Sequence, residues 1–401
     1  MSQRLISLDP GLARLQREGF NVRIETGHVV VRDVPYVAPN RQVRLCVLAD
    51  AYNDTTCRPT DHTMYMAGEP PSDEKGVIQE TMFAGDRQNQ QPYAVGDGLT
   101  MQYRFSVKVV GEGQAPIPDE NYYDKFVRYI ERLGRHVRAA SSDLSAQTFP
   151  LVLPDEPGAS PFKYVDTATS RAQIAAISKT LQGQRLAVVG LGGTGGYVLD
   201  LVAKTPVEEI HLYDFDIFRQ HNAFRAPGAA SAEDLKLNSK KVDYFANIYA
   251  KMRNGIVPHP EGATEDTIAQ IASTNFVFTC MDAGEAKRSL IDSLVANGTS
   301  FIDCGMGLYE VEGKLAGIAR VTTATPGMNA HLADRIPFSD GNADNEYAHN
   351  IQIADLNALN AALAVIRWKK WAGFYNDLER EHNSNYTVDG NSIANGDFSA
   401  G

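Results

Sequence analysis

Glycines, acids and cations follow one another along residues 186–282 in an order that suits phosphate chemistry. Gly190, Gly192 and Gly195 have the spacing G-x-G-x-x-G, with Gly193 and Gly196 filling out the cluster. Glycine lets the backbone pass close to a phosphate, and the free N–H groups at a helix start face an anion. Leu186-Ala187-Val188-Val189 runs into this cluster and Tyr197 to Lys204 leaves it as a helix, so the order is strand, tight turn, helix. That pattern says nucleotide without saying which reaction. An acid about twenty residues past the glycines commonly holds ribose hydroxyls, and Asp214 fits, with Asp216 two positions on. To this point a nicotinamide-dependent dehydrogenase would explain every residue. The next polar residues are not those of hydride transfer: Asn222, Arg225 and the pair Lys240-Lys241 follow, and Asp282 closes a later strand. Cations gathered near a helix N-terminus suit a triphosphate. A carboxylate at a strand's carboxyl end suits Mg²⁺ bridging phosphate oxygens.

The elements that must position these residues alternate. Short apolar runs at 186–190, 210–214, 276–280 and 300–304 read as strands, and amphipathic stretches near 196–204, 239–251, 264–272 and 284–297 as helices. The alternation predicts an α/β fold with a doubly wound, mostly parallel sheet. Residues 311–322 read as a strand pair turning at Glu312-Gly313. Residues 328–348 read as a long crossing loop. A helix is predicted over 351–375 with Ile353, Leu356, Leu359, Leu363 and Ile366 on its apolar side. Beyond it, 383–401 reads as a polar tail with one short strand at 386–388.

The part before the glycine turn reads as a smaller, β-rich α+β domain. Leu5, Leu8, Leu12 and Leu15 predict an opening helix. Asn21–Glu25 and His28–Arg32 form a hairpin signal around Thr26-Gly27, and 43–49 and 101–109 are further strands. Residues 68–98 are loop-rich. A helix is expected over 122–140, with Phe126, Ile130, Leu133 and Val137 in one stripe, and another over 167–181. The proline-marked polar stretch 141–161 separates the two parts, giving expected domains of 1–145 and 164–382, a linker at 146–163 and the tail at 383–401. His62 reads as a strand-edge residue and Cys46 as core.

With 401 residues, two domains are the default. A hydrophobic content of 43% with 22% charged residues fits a globular chain. The formal charge of −11 disfavours nucleic acid and anionic membrane surfaces as partners and favours a basic face. Cys46, Cys57, Cys280 and Cys304 are scattered, without a C-x-x-C pair, which argues against a disulfide framework or zinc knuckle and favours a reducing cytoplasm. The first twenty residues carry too many charges for a signal peptide, and no apolar run reaches the length of a membrane span.

The segment resembles the ThiF/MoeB family, the adenylating core of ubiquitin-activating enzymes. That family shows G-x-G-G-x-G, D-x-D, an Asn and an Arg three apart, a Lys, and an Asp after a later strand. Here these are Gly190 to Gly195, Asp214/Asp216, Asn222/Arg225, Lys241 and Asp282, in order within 165–375. The resemblance implies that Asp214 holds the ribose, that Asn222, Arg225 and Lys241 grip the phosphates of ATP, and that Asp282 positions Mg²⁺. It implies that Arg171 reaches into a neighbouring subunit's site, hence a homodimer. Lys240 competes with Lys241 by register. The reaction implied is attack of the C-terminal glycine carboxylate of a ubiquitin-like or sulfur-carrier protein on the α-phosphorus of ATP, releasing pyrophosphate. The crossing loop 328–348 would cover the extended tail of that protein.

The sequence also departs from the family. Ala226 and Ala283 stand where Gln and Asn are common, and the zinc-binding cysteine pairs are missing. No cysteine after Asp303 sits where a thioester forms; Cys304 and Cys280 read as structural. The adenylate would then pass directly to a thiol or hydroxyl on another protein, or to a serine such as Ser339. The arrangement as a whole resembles bacterial ThiF-type fusions found with ubiquitin-like and conjugating-enzyme-like partners, with 1–145 docking such a partner. The competing readings are an NAD-dependent oxidoreductase and a non-catalytic scaffold that kept the fold.

Overall fold

The computed structural model describes residues 2–96, 98–108, 119–140, 142–156, 158, 160–172, 174–338 and 351–399. The chain divides into two compact units, 1–159 and 160–401. Ser339 and the crossing-loop residues 339–348 lie outside the described residues.

In the first unit the expected single opening helix is two, α1 (Ser2–Leu8) and α2 (Pro10–Arg17). Pro10 cannot continue a helix but starts one well, and the Asp9 carboxylate caps α2 by accepting from the N–H groups of Gly11 and Leu12. The break turns Leu8 out to 65% exposure while Ile6, Leu12 and Leu15 are buried. The hairpin β1 (Asn21–Glu25) and β2 (His28–Val37) turns at Thr26-Gly27, both at positive φ. That pair of left-handed residues matches the twist of the flanking strands. β3 (Val43–Ala51) and β4 (Thr63–Ala67) follow, then the two-residue strands β5 (Tyr93–Ala94) and β6 (Thr100–Met101), which pair with each other, and β7 (Tyr103–Ser106). The strand expected over 101–109 is thus shorter. The sheet is antiparallel in the order β1-β2-β3-β4-β7. α3 (Tyr122–Ala139) lays Phe126, Ile130, Leu133 and Val137 into the core. Its Lys125, fully buried, pairs with Asp50 at 2.6 Å. His62 precedes β4 with its Nε2 2.9 Å from Ser106 Oγ, and burial pushes the Cys46 thiol far up.

The second unit opens with the short α4 (Thr167–Ala172) and α5 (Ala175–Ser178). Then come β8 (Arg185–Val189), α6 (Gly193–Val202), β9 (Glu209–Tyr213), α7 (Gln220–Ala223), α8 (Ala232–Lys236), α9 (Lys241–Tyr249), β10 (Ile256–His259) and α10 (Glu265–Ala272). β11 (Phe276–Thr279), α11 (Glu285–Asn297), β12 (Phe301–Val311), β13 (Lys314–Ala324), α12 (Leu332–Arg335), α13 (Ala354–Trp371), β14 (Glu381–Thr387) and β15 (Ser392–Phe398) complete it. The sheet order is β10-β9-β8-β11-β12-β13-β14-β15, with β8 to β12 parallel and the last three antiparallel. This is the mostly parallel, doubly wound sheet expected.

Successive residues of each strand serve opposite faces. Leu186, Val188, Ile210, Leu212, Phe276 and Phe278 pack with α6, α9 and α13; Ala187, Val189, Tyr213 and Val277 pack with α10 and α11. The strand order reverses between β8 and β11, and such a reversal opens a crevice at the carboxyl ends of the strands.

Several features of this unit differ from expectation, among them the break of the expected helix 167–181 into α4 and α5. β10 contains Pro258, which masks its pattern; as an edge strand it tolerates a residue without an N–H. The stretch 383–401, expected as a polar tail, contributes most of the hairpin β14–β15, which pairs with β13 and extends the sheet. On α13 the leucine stripe is not the buried face: Asn357, Asn360, Ala361, Ala364, Val365 and Trp368 are buried, and Ile366 is 44% exposed. Small and short polar residues line that face because α13 lies along α6, whose first turn is glycine. Of the crossing loop, 328–338 is tied down by α12, with Leu332 and Ile336 buried.

Candidate active site

β8 ends at Val189 and the chain turns through Gly190, which sits at φ +88°. A Cβ there would lie 2.5 Å from the Cys280 carbonyl oxygen at the end of β11. A Cβ on Gly195 would collide with the Gly190 carbonyl, and one on Gly196 would press on Phe245 and Pro227 at 3.1 Å. The glycines therefore let α6 start immediately beneath the turn, at the reversal point between β8 and β11. Gly190→Ala is expected to lose about 2 kcal/mol, a left-handed φ and a backbone contact acting together. Urea unfolding measures it.

The next strand supplies the acids. Asp214, 7% exposed, accepts from the Leu191 N–H at 2.6 Å and the Asp216 N–H at 2.8 Å, so its carboxylate ties the end of β9 to the glycine turn. Lys241, the first residue of α9, places its Nζ 2.7 Å from Asp216 and 3.4 Å from Asp214. Lys240 turns away and donates to the Phe215 carbonyl. Of the two lysines in competing register, Lys241 is the one in the acid pair.

Asn222 is buried, and its Oδ1 accepts from the Arg219 N–H at 2.8 Å, fixing the short α7. The Arg225 N–H bonds to the Asn222 carbonyl at 3.1 Å, so the three-residue spacing is one turn of chain. Arg225 Nε is buried and has no hydrogen-bond partner among the described residues. A buried guanidinium nitrogen without an acceptor is costly unless an anion arrives.

Asp282 is exposed, three residues past the end of β11. Arg171 lies exposed on α4, outside the strands and turns that form this cluster. Gly190 and Gly192 lie on the turn after β8, Gly193 and Gly195 in the first turn of α6, Asp214 and Asp216 after β9, Lys241 at the start of α9 and Asp282 after β11, with Asn222 and Arg225 on the connection between β9 and α9.

Sequence reading missed what lies behind Asp282. Asp303, fully buried on β12, accepts from Thr279 Oγ1 at 2.7 Å and pairs with Lys287 at 2.8 Å and Arg320 at 2.7 Å. Lys287 also donates to the Met281 carbonyl at 3.3 Å, next to Asp282. The available signal was an aspartate inside the apolar run Phe301-Ile302-Asp303-Cys304, a buried charge that requires a partner. Beside it, the hydrogen-bonded Cys304 thiol and burial hold the Cys280 thiol well above the usual thiol range. A thiol kept protonated is a poor nucleophile.

Residues 10–167 match a domain of unknown function, DUF6791. Residues 169–375 match the ThiF family. No curated protein matches the chain. Among solved structures, E. coli MccB is similar at 16% identity and a TM-score of 0.44, over 56% of this chain and 65% of that one. The chain therefore spans less than two thirds of that protein's length. A structure titled E. coli MccB + ATP has 17% identity and a TM-score of 0.44, over 57% of this chain and 67% of that one. PaaA has 15% identity and a TM-score of 0.43, over 55% of this chain and 75% of that one. With a match that spans just over half its residues, the chain belongs to the ThiF family.

Proposed function

We propose that the chain is an ATP-dependent adenylyltransferase that activates the C-terminal carboxylate of a ubiquitin-like or sulfur-carrier protein. The observation that carries this reading is the pairing of a glycine turn with cations beside it, above all Arg225, whose buried Nε has no acceptor among the described residues. A carboxylate oxygen attacks the α-phosphorus of ATP, the bond from that phosphorus to the β-phosphate bridging oxygen breaks, and pyrophosphate leaves. Both reactants are anions, so neutralising them and holding them in line is most of the work. Asp214 holds the ribose hydroxyls. The backbone from Gly190 through Gly195 cradles the phosphates, and Asn222, Arg225 and Lys241 bind them. Lys241 exchanges part of its contact with Asp216 for a phosphate oxygen.

An exposed carboxylate at the end of β11 fits Mg²⁺, which keeps most of its shell as water and phosphate oxygens and needs one or two protein carboxylates. Asp282 would hold such an ion, which would supply charge neutralisation for the leaving pyrophosphate. Arg171 of a second copy completes the site in a homodimer. The first domain, 1–145, docks a conjugating-enzyme-like partner, the stretch 146–163 links it to the adenylation domain 164–382, and the adenylate is handed directly to that partner. Among the described residues no helix is long and apolar enough to cross a membrane.

ATP–pyrophosphate exchange, measured with and without a glycine-ended ubiquitin-like protein, tests the reading. Exchange that needs the protein and falls about a hundredfold in Asp282→Ala, a loss typical of removing one electrostatic stabiliser, supports it. Binding of NAD with no exchange would instead establish the oxidoreductase. Absence of both activities, with the fold intact, would establish the scaffold.

A further inference from the structure

The first turn of α6 faces a buried side chain that the adenylation chemistry above does not use. Asn357 of α13 is fully buried. Its Oδ1 accepts from Thr194 Oγ1 at 2.8 Å, which fixes the plane of the amide. Its Nδ2 has no hydrogen-bond acceptor among the described residues. A Cβ built on Gly193 would fall on this same amide, so the side chain is aimed at the first residue of the helix across a gap that only glycine leaves open. α6 runs for ten residues, and Gly192, its N-cap, offers no side-chain cap. The helix therefore begins with three N–H groups that have no acceptor within it.

An unsatisfied buried donor is destabilising, and a leucine or alanine in its place would remove that cost. The position instead holds a neutral group with its electropositive NH₂ end against an electropositive helix start. Two like ends of dipoles brought together are unfavourable alone and favourable together once an anion occupies the turn.

We infer that Asn357 is a positioning residue of the phosphate site: its amide, held by Thr194, strengthens the anion-attracting field of the α6 N-terminus from behind, through the gap at Gly193. The ligand class is the polyphosphate of a nucleoside triphosphate, and the inference rests on the nucleotide reading of the glycine turn. It accounts for the asparagine at position 357 on the buried face of a helix rich in leucine. Asn360 secures the other side by donating to the Gly305 carbonyl at 3.0 Å.

Asn357→Asp separates this role from a structural one. The substitution keeps shape and the acceptor for Thr194, but replaces the NH₂ end with a carboxylate oxygen. The free N–H groups at the start of α6 offset the desolvation of a buried carboxylate, yet its charge opposes a second anion at the same place. Phosphate affinity should therefore fall while stability is kept. Calorimetric titration of the full chain with the α,β-methylene analogue of ATP and with inorganic pyrophosphate should give a Kd about tenfold weaker, with a Tm equal to or above that of the unsubstituted protein. Equal affinity in the variant would overturn the inference.

If affinity and Tm fall together, the side-chain ¹⁵NH₂ resonances of Asn357 in the unsubstituted protein decide. A shift on adding pyrophosphate supports the role, and unmoved resonances overturn it. If the unsubstituted protein binds neither ligand, the nucleotide reading itself fails, a result independent of position 357.

Discussion

Arg225→Ala should lower ATP–pyrophosphate exchange about a thousandfold while leaving the melting temperature within a few degrees. Charge accumulates on the phosphates as the pyrophosphate leaves, and a thousandfold loss corresponds to about 4 kcal/mol of the barrier for one preorganised cation. The stability half of the expectation comes from the same geometry. Arg225 Nε is buried without an acceptor among the described residues, so truncation abandons no partner of that atom. Arg225→Lys should recover only a small part of the activity, because an ammonium lacks the planar fork that meets two phosphate oxygens at once. Exchange rates and thermal unfolding on the same preparations check both halves. A large fall in Tm would mean that Arg225 serves the fold.

Asp303→Ala carries the largest expected stability loss, about 3–5 kcal/mol, because it leaves Lys287 and Arg320 without their carboxylate in a buried setting. In a unit of this size that is a fall of roughly 10 °C in Tm, at 2–4 °C per kcal/mol. The damage should not stay local. Thr279 and Met281 flank the end of β11, and both are held by this cluster, Thr279 through Asp303 and Met281 through Lys287. The carboxylate at Asp282 should lose its fixed position, so exchange should fall even below the new Tm. Asp303→Asn keeps the acceptor for Thr279 but not the charge, and should lose nearly as much stability. Unchanged unfolding in both variants would refute the argument that this pair of cations depends on Asp303.

What the sequence revealed and concealed divides along physical lines. The strand–turn–helix at Gly190 was legible because glycines at fixed spacing have a steric reason that needs no tertiary context. The hairpin at Glu312-Gly313 was legible for the same cause: both residues sit at positive φ, at the tip of β12 and β13. Motif spacing pointed to Asp214, Asn222, Arg225 and Lys241, and the fold sets Lys241 Nζ 3.4 Å from Asp214.

Elements whose burial is decided by partners far away were not legible. Pro258 disguised β10, whose place at the sheet edge is invisible from local pattern. The polar run at 383–401 concealed strands because β14 and β15 are set by pairing with β13 rather than by an apolar face. The leucines of α13 advertised the wrong side, since the glycine face of α6 selects asparagine and alanine. Asp303, Lys287 and Arg320 are scattered over three elements, and only the fold brings them together.

The central claim is that a nucleoside triphosphate lies with its phosphates on the turn from Gly190 to Gly195, among Arg225 and Lys241, with its ribose on Asp214. A crystal structure of the protein grown with ATP and Mg²⁺ tests it most directly. A triphosphate is expected in that cleft, its metal beside Asp282 and both cations within hydrogen-bonding distance of phosphate oxygens. A dinucleotide there in a competition soak, or cations turned from an empty cleft at saturating ATP, would contradict it.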